Sequence, residues 1–407
     1  MSDGDPEPGG RLTADPDARD GRYHRQALIS WWEQERLAAA TVLVVGAGAL
    51  GNELVKSCVL MGVGTVAVVD GDVVEDSNLS RCVLFRGEDE GRPKATVAAR
   101  AAAALNPDVT VVGIVGDVRS TVGLGIVRDV DLVLGGVDNR EARMHVNQAC
   151  WKSGTPYVDG AIEGLQGVVR AFVAPDGPCY ECTMNERDHQ LVAARRSCAL
   201  LTRDELLTGK VPTTATTAAV VAGIQVQEAI KLLHGMPADA TLAGRGFAFN
   251  GLTHDSYVVG YPRREQCLAH DRYDPRRTSA VPATASFAAL LAAGRERLGH
   301  DEVELETEVE LVLGADCGAC GAALAIARPL HELGPDDVRC RACGSETTPR
   351  LRHRIGPADG PLLERRPADV GLPPGDTITA RHGLERWHLT LDGDRPLGER
   401  LRTAAAA

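Results

Sequence analysis

One short motif limits the folds open to this chain more than any other feature. The apolar run TVLVV leads directly into a GxGxxG pattern formed by Gly46, Gly48 and Gly51. Glycines at this spacing let the chain turn tightly, and the N–H groups at the start of the next helix can then approach a phosphate. The motif therefore predicts a strand, a glycine turn and a helix that together bind a nucleotide.

The segments that follow predict the rest of an α/β domain. TVAVVD, DVTVVGIVG and VDLVLGG are typical of strands, TPYVDGAIEGLQGVVRAFV of several more, and an alanine-rich helix is expected around 95–105. A long helix is predicted over 213–234 and ends at Gly235, and residues 21–40 carry another helical pattern. Apolar strands alternating with helices indicate a Rossmann-like, doubly wound, mixed sheet.

Length and composition narrow the class of protein. The chain has 407 residues, enough for two or three domains. Residues 1–20 are acidic and rich in Gly and Pro, which predicts a disordered tail, not a signal peptide, and a cytoplasmic protein. No apolar run reaches the roughly 18 residues of a membrane span. A net charge of -12 and only 4% aromatic residues argue against nucleic acid as a partner.

Changes in composition predict where the domains divide. Residues 21–272 form the expected nucleotide-binding domain, and 273–285 read as a linker. Residues 286–407 begin with a predicted helix and continue through two CxxC pairs into a stretch rich in Pro, Gly and Arg. We therefore expect a second, smaller domain there.

The charges near the glycine turn indicate which nucleotide is used. Asp70 ends the second predicted strand, at a distance suited to the ribose hydroxyls of a nucleotide. Asn78, Arg81 and Lys94 follow shortly after. Each alone could be a surface residue, but together they favour contact with phosphates. An oxidoreductase that uses NAD or FAD would not need them, whereas an enzyme that cleaves ATP next to its α-phosphate would. Both classes remain open from the residues.

Asp138 is a candidate ligand for Mg²⁺. In LGGVDNR it follows a predicted strand, at the sheet edge where open α/β folds bind ligands. It could instead cap the following helix. We favour the metal, because Mg²⁺ in nucleotide sites takes one or two carboxylates together with phosphate oxygens.

Two groups of cysteines predict zinc sites. Cys179 and Cys182 form a CxxC pair, and Cys267 with His270 supplies the remaining ligands of a Cys₃His site, unless His270 is an ordinary loop residue. A CxxC…CxxC pattern downstream predicts a structural Cys₄ zinc ribbon. Its ligands would be Cys317, Cys320, Cys340 and Cys343.

Five motifs in order, RYHRQ, GAGALG, VVDGDVVEDSNLSR, GRPKA and GVDNR, resemble the ThiF/MoeB family, whose fold ubiquitin-activating enzymes share. The resemblance covers about 21–272 and is nearest to compact bacterial-type activating enzymes for ubiquitin-like proteins. It implies ATP-dependent adenylation of the C-terminal glycine carboxylate of a ubiquitin-like or sulfur-carrier protein. An adenylyltransferase acting on a short peptide, or a non-catalytic zinc scaffold, remains an alternative.

The resemblance also assigns roles to individual residues. It places Asp70 and Asn78 at the ribose and nearby groups, Arg81 and Lys94 at the phosphates, and Asp138 at Mg²⁺. The nucleotide-binding set is completed by Asp72 and Asn139. Arg25 of RYHRQ would act as an arginine finger in the site of a partner subunit, which implies a homodimer. Two departures from the family pattern are Cys82, commonly Gln, and His270, commonly Cys.

Cys198 is a candidate nucleophile. It follows Arg195 and Arg196, whose charges would lower its pKa, and it stands where ubiquitin-activating enzymes carry their thioester cysteine. A buried core thiol and a sulfur relay are the alternatives. Cys58 and Cys150 lie in predicted helices and are expected to be core residues.

Overall fold

The first predicted strand is buried on both of its faces. TVLVV forms β1, Thr41–Val45. Val42 and Val44 pack into one apolar cluster, while Leu43 and Val45 pack into another on the opposite side of the sheet. A strand that is apolar at every position is typical of a parallel sheet covered by helices on both faces. A computed structural model describes residues 21–186, 188, 212–334 and 336–406 of the chain; the predicted tail, 1–20, lies outside them.

Eight strands form the sheet of the first unit. After β1 they are β2 Thr65–Asp70, β3 Thr110–Val115, β4 Leu132–Gly135, β5 Tyr157–Glu163, β6 Gln166–Phe172, β7 Arg245–Asn250 and β8 Asp255–Gly260. Their order is β3-β2-β1-β4-β5-β6-β7-β8. Neighbours from β3 to β5 are parallel, and those from β5 to β8 are antiparallel. The mixed sheet expected from the sequence is confirmed.

Helices cover both faces of this sheet. In chain order they are α1 His24–Ala27, α2 Gln34–Ala39, α3 Ala49–Met61, α4 Lys94–Leu105, α5 Val118–Thr121, α6 Leu124–Asp129, α7 Arg140–Ser153 and α8 Ala215–Leu233. Buried residues of α3, α4 and α8 share one cluster, and those of α6 and α7 share the other. The sheet is therefore doubly wound, as predicted. Thr214 caps the start of α8, and Gly235 follows its end with a φ of +69°.

The helix predicted over residues 21–40 is only partly confirmed, because the chain forms two short helices, α1 and α2, with a bend between them. The indole rings of Trp31 and Trp32 both lie 5.4 Å from the ring of His234. The backbone N–H of Glu33 donates to Nε2 of His234 over 3.0 Å. These contacts with His234 at the end of α8 stabilise the bend, so tertiary packing overrides the local helical pattern.

The second unit is built on a six-stranded sheet. Its strands are β9 Thr278–Val281, β10 Glu304–Asp316, β11 Ala323–Pro329, β12 Thr348–Ile355, β13 Thr377–His382 and β14 Glu385–Leu391. The order is β11-β10-β13-β14-β9, and β12 pairs with β10. Its helices are α9 Phe287–Leu298 and α10 Gly360–Leu363, and a last helix, α11 Leu397–Ala406, follows β14 in the chain. α9 is the helix expected after the linker, and it packs Phe287 and Leu290 into the core of this sheet.

The segment predicted as a linker contains a strand. Residues 278–281 form β9, which pairs in parallel with β14 at the edge of the second sheet. A four-residue strand that begins with two polar residues, TSAV, gives too weak a pattern to separate it from a loop. Part of the segment 273–285 is therefore an element of the second sheet.

The two units are joined by direct contacts. The backbone N–H of Gly125 donates to the carbonyl of Gly375 over 3.0 Å, and that of Leu124 donates to Asp376 over 3.2 Å. Lys152 of α7 pairs with Glu308 of β10 at 2.7 Å. Helix α11 leaves the second sheet altogether, and its residues Leu401 and Ala404 belong to the apolar cluster of the first unit.

Among the residues that the structure describes, no helix has the length and apolar character needed to cross a membrane.

Candidate functional site

The glycine turn lies where the direction of strand order reverses. β1 and β4 are neighbours in the sheet, although β2 and β3 come between them in the chain. The turn follows β1, and Asp138 follows β4, so both stand at the carboxyl ends of adjacent parallel strands. This is the topological switch point, where open α/β sheets bind ligands.

The turn itself requires glycine and leaves room for a ligand. Gly46 has a φ of +95°, and a Cβ there would approach the carbonyl oxygen of Gly136 at 2.6 Å. Gly51 is packed against the backbone of Gly46. At Gly48, by contrast, a Cβ would meet no atom of the described residues within 4 Å. The first and third glycines therefore close the turn, while the second faces open space that a phosphate can occupy.

A buried asparagine holds the turn in place. Asn52 is fully buried in α3, and its amide nitrogen donates to the carbonyls of Ala47 over 2.7 Å and Gly48 over 3.2 Å. Its Oδ1 accepts from the backbone N–H of Leu84 over 2.8 Å. Asn52 thus ties the turn to the segment that carries Arg81. Sequence reasoning missed it, although a polar residue in an apolar helical run was the available signal.

Asp70 is bonded to the turn as well. Its two carboxylate oxygens accept from the backbone N–H groups of Ala47 over 2.7 Å and of Asp72 over 2.8 Å. Burial raises the pKa of Asp70 above its usual value, while these two hydrogen bonds and the charge of Lys94 act in the opposite direction. Each oxygen still has a free lone pair. The predicted contact with ribose stays a prediction.

Lys94 is held beside this carboxylate. It is the first residue of α4, it is buried, and its Nζ pairs with Asp72 at 2.9 Å. Burial lowers the pKa of Lys94, but the hydrogen bond to Asp72 and the charge of Asp70 outweigh that effect, so its pKa lies above the usual value. Lys94 therefore carries a full positive charge at neutral pH. Asp72 is exposed and acts as its counter-ion.

The segment after β2 places Asn78 and Arg81. Asn78 is buried, and its Oδ1 accepts from the backbone N–H of Glu75 over 3.0 Å. Arg81 is half-buried, and its Nη1 donates to the carbonyl of Ser77 over 2.6 Å. Burial raises the pKa of the neighbouring Cys82 thiol to about 11, although Arg81 and Lys94 lower it in part. Cys82 is thus a protonated core thiol at neutral pH and not a nucleophile.

The structure separates the two interpretations of Asp138. Asn139, not Asp138, caps α7, because its Oδ1 accepts from the backbone N–H of Ala142 over 2.7 Å. The alternative that Asp138 caps this helix is therefore wrong. Asp138 is exposed and lies two residues beyond Gly136, which contacts the glycine turn. The metal-binding role of Asp138 and the nucleotide contact of Asn139 stay predictions.

Two further catalytic candidates cannot be placed in the site of this chain. Arg25 is exposed on α1, and its predicted role lies in a partner subunit. Cys198 lies outside the described residues. Cys58 and Cys150 are buried, and burial raises the pKa of Cys58 to about 12, as expected for core thiols.

Cys179, Cys182, Cys267 and His270 form a compact cluster. Their ligand atoms all lie within 4.8 Å of one another. The Sγ of Cys179 is 3.6 Å from that of Cys267, and the Sγ of Cys182 is 3.3 Å from Nε2 of His270. Zn–S bonds of about 2.3 Å at tetrahedral angles separate two sulfurs by about 3.8 Å. The donors and distances therefore fit a zinc ion.

The second group of cysteines has the same geometry. The Sγ atoms of Cys317 and Cys343 are 3.5 Å apart, and those of Cys320 and Cys340 are 3.6 Å apart. One CxxC pair lies between β10 and β11, and the other lies between β11 and β12. Four clustered cysteine sulfurs at the turns of an antiparallel three-stranded sheet are consistent with the predicted Cys₄ zinc ribbon.

The first unit of the chain is similar to a known protein family. The model of the ThiF family matches residues 23–269. A sulfur carrier protein adenylyltransferase of Thermus thermophilus is 38% identical over 254 residues, which are 60% of this chain and 89% of that protein. A SAMP-activating enzyme E1 of Haloferax volcanii is 35% identical over 255 residues, which are 60% of this chain and 87% of that protein.

A solved structure of Escherichia coli MccB with ATP supports the fold. The two share 22% sequence identity with a TM-score of 0.52, over 63% of this chain and 75% of that one. The fold, the order of the site motifs and the relatives agree with the resemblance noted in the sequence. This chain belongs to the ThiF family.

Proposed function

We propose that this enzyme uses ATP to adenylate the C-terminal glycine carboxylate of a ubiquitin-like or sulfur-carrier protein. The observation that carries the proposal is the arrangement at the switch point. An open glycine turn and Asp138 stand at the ends of β1 and β4. Asp70 accepts from the turn and from the backbone of Asp72, whose carboxylate pairs with the buried, charged Lys94. The activities named for the two relatives support adenylation over hydride transfer.

The chemistry needs no general base. A C-terminal carboxylate is already ionised at pH 7 and can attack the α-phosphorus of ATP directly. The new bond joins a carboxylate oxygen to the α-phosphorus, the bond to the bridging oxygen breaks, and pyrophosphate leaves with its electron pair. Lys94 and Arg81 would offset the negative charge that grows on the phosphates, and the N–H groups of the turn would orient them.

Asp138 would hold Mg²⁺ together with phosphate oxygens. An exposed carboxylate at the edge of a nucleotide cleft matches the ligands that this ion takes in such sites. When bound, Mg²⁺ neutralises charge on the leaving pyrophosphate. Asp70 and Asn78 would face the ribose.

A surface feature supports a protein substrate. Leu252, Tyr257 and Val258 of the β7–β8 hairpin are 72%, 64% and 53% exposed. Large apolar side chains that are exposed on one hairpin offer a surface for contact with a partner protein. We further propose that the enzyme is a cytoplasmic homodimer, in which Arg25 reaches the phosphates of the ATP bound in the partner subunit. The thiolate of Cys198 would attack the carbonyl carbon of the acyl-adenylate, so that a thioester forms and AMP leaves.

Exchange of labelled pyrophosphate into ATP tests the proposal. Candidate carriers that end in glycine should support exchange, and removal of the terminal glycine should abolish it. Asp138→Ala should lower the exchange rate by about 10²-fold or more. Without this carboxylate the site would lose the Mg²⁺ that offsets the charge on the leaving pyrophosphate. A thiol-sensitive adduct on a non-reducing gel that is lost in Cys198→Ala would support the thioester.

The matched control is Asp336→Ala, whose side chain is 99% exposed in the second unit. It should exchange like the unaltered enzyme. Equal rates for Asp138→Ala and Asp336→Ala would remove Asp138 from the reaction. Exchange with a short free peptide but with no carrier protein would point instead to a peptide adenylyltransferase.

A further inference from the structure

A buried ion-pair cluster lies next to the loop that carries Asp138. Asp159 of β5 is fully buried and accepts from three side chains. Nε of Arg143 donates to Oδ1 over 3.0 Å, the hydroxyl of Tyr157 donates to the same oxygen over 3.0 Å, and Nη2 of Arg170 donates to Oδ2 over 2.7 Å. Burial of a charge is costly unless its hydrogen-bonding groups are satisfied. Both oxygens of the Asp159 carboxylate are therefore satisfied, whereas Nε of Arg170 is buried without a hydrogen-bond partner among the described residues.

Arg143 of this cluster is hydrogen-bonded directly to the loop that carries Asp138. Nη2 of Arg143 donates to the carbonyl of Val137 over 2.6 Å and to that of Gly160 over 3.0 Å. Val137 is the residue before Asp138. One guanidinium thus connects the middle of β5 to the backbone next to the candidate metal ligand, and the carboxylate of Asp159 fixes the orientation of that guanidinium.

The other end of the cluster reaches the first cysteine group. The guanidinium of Arg170 lies over the ring of Tyr180 at 5.1 Å, and Tyr180 stands between Cys179 and Cys182. The backbone N–H of Tyr180 donates to Oδ1 of Asn147 on α7 over 2.8 Å. The CxxC turn is therefore held against the same helix whose first residues follow Asp138.

We propose that Asp159, acting through Arg143 and Arg170, is a positioning residue that anchors the Asp138 loop to the Cys₃His cluster and thereby sets the affinity of the site for a divalent cation with ATP. The inference rests on the role of Asp138 in the proposed function. When a residue that orients a metal ligand without contacting the metal is lost, metal affinity typically falls by about 10- to 100-fold.

Binding of the Mn²⁺–ATP complex, followed by electron paramagnetic resonance, gives a readout independent of turnover. Asp159→Asn keeps the size of the side chain but removes its charge, and it should weaken binding about tenfold or more. In pyrophosphate exchange, the concentration of Mg²⁺ that gives half the maximal rate should rise by a similar factor, while the rate at saturating Mg²⁺ should change much less.

Asp129 provides a matched control. Its carboxylate also bridges two arginines, Arg128 and Arg400, but it lies at the junction of the two units. Asp129→Asn should bind Mn²⁺–ATP like the unaltered protein. If Asp159→Asn does not fold, Arg170→Gln is the second variant. It keeps the pair of Arg143 with Asp159 and removes the connection from Asp159 to Tyr180.

The outcomes separate the two proposals. Unchanged Mn²⁺–ATP binding in Asp159→Asn and Arg170→Gln, with weakened binding in Asp138→Ala, would overturn the positioning role and leave the proposed function standing. Unchanged binding in Asp138→Ala would remove the metal assignment, and this inference with it. Equal losses in Asp159→Asn and Asp129→Asn would show a general loss of stability, which also overturns the proposal.

Discussion

At the scale of single residues, the glycine turn depends on the side chain of a buried asparagine on α3. Asn52 makes hydrogen bonds to both Ala47 and Gly48 and also accepts from Leu84. An alanine there would remove these hydrogen bonds from the carbonyls of Ala47 and Gly48 in the turn and from the N–H of Leu84. Buried polar groups that lose their partners cost about 1–3 kcal/mol each.

Asn52→Ala should therefore lower the free energy of unfolding by about 2–4 kcal/mol and weaken ATP binding. Chemical denaturation and calorimetric titration with ATP measure the two effects. Asn250→Ala removes a side chain with one short-range hydrogen bond at the end of β7 and should change neither by much. Intact ATP affinity in a folded Asn52→Ala variant would contradict the role of Asn52 in shaping the turn.

At the scale of elements, the last helix of the described chain belongs to the first unit. On α11, Leu401 is fully buried and Arg400 pairs with Asp129 of α6. Leu401→Ala should lower the free energy of unfolding by about 2–5 kcal/mol, because it leaves a cavity against the first sheet. Arg402→Ala, on the exposed face of the same helix, should stay within about 0.5 kcal/mol. Equal unfolding midpoints for the two variants would contradict this packing.

The elements also show what could be predicted from sequence. The strands from β1 to β6 and the helices α4, α8 and α9 follow apolar patterns long enough to be recognised, and the cysteine spacing predicted both clusters. Strand β9 was missed because four residues carry too little pattern. The cap of α7 by Asn139 was not foreseen, because the only cap considered, as an alternative to the metal site, was Asp138. The Arg143–Asp159–Arg170 cluster was missed because its members come from three elements, so only the fold brings them together.

At the scale of the whole molecule, the junction between the units contains a carboxyl group that titrates in an unusual range. Burial raises the pKa of Asp376 to about 7, and the nearby charge of Glu308 adds to that effect. In the unfolded chain this group would ionise near its usual value of 3.8. The folded protein therefore holds one more proton between these values, and stability should fall as pH rises from about 4 to 7.

Asp376→Asn removes this dependence. The amide oxygen can still accept from Leu124, and no charge is buried at high pH. The variant should be more stable than the unaltered protein at pH 8 by about 1–3 kcal/mol, and the advantage should disappear near pH 4. Denaturation midpoints at the two pH values measure it. A constant difference between the proteins across this range would rule out titration of Asp376 as the cause.

The packing of α11 has a consequence for biosynthesis. The ribosome releases the strands of the nucleotide-binding sheet long before it releases residues 397–406. The apolar surface around Ile126 is therefore covered only after Leu401 has been synthesised. A nascent chain with that surface uncovered is prone to aggregation, and large proteins face this risk whenever a domain completes late. Translation that stops before α11 would therefore leave this apolar surface of the nucleotide-binding unit uncovered.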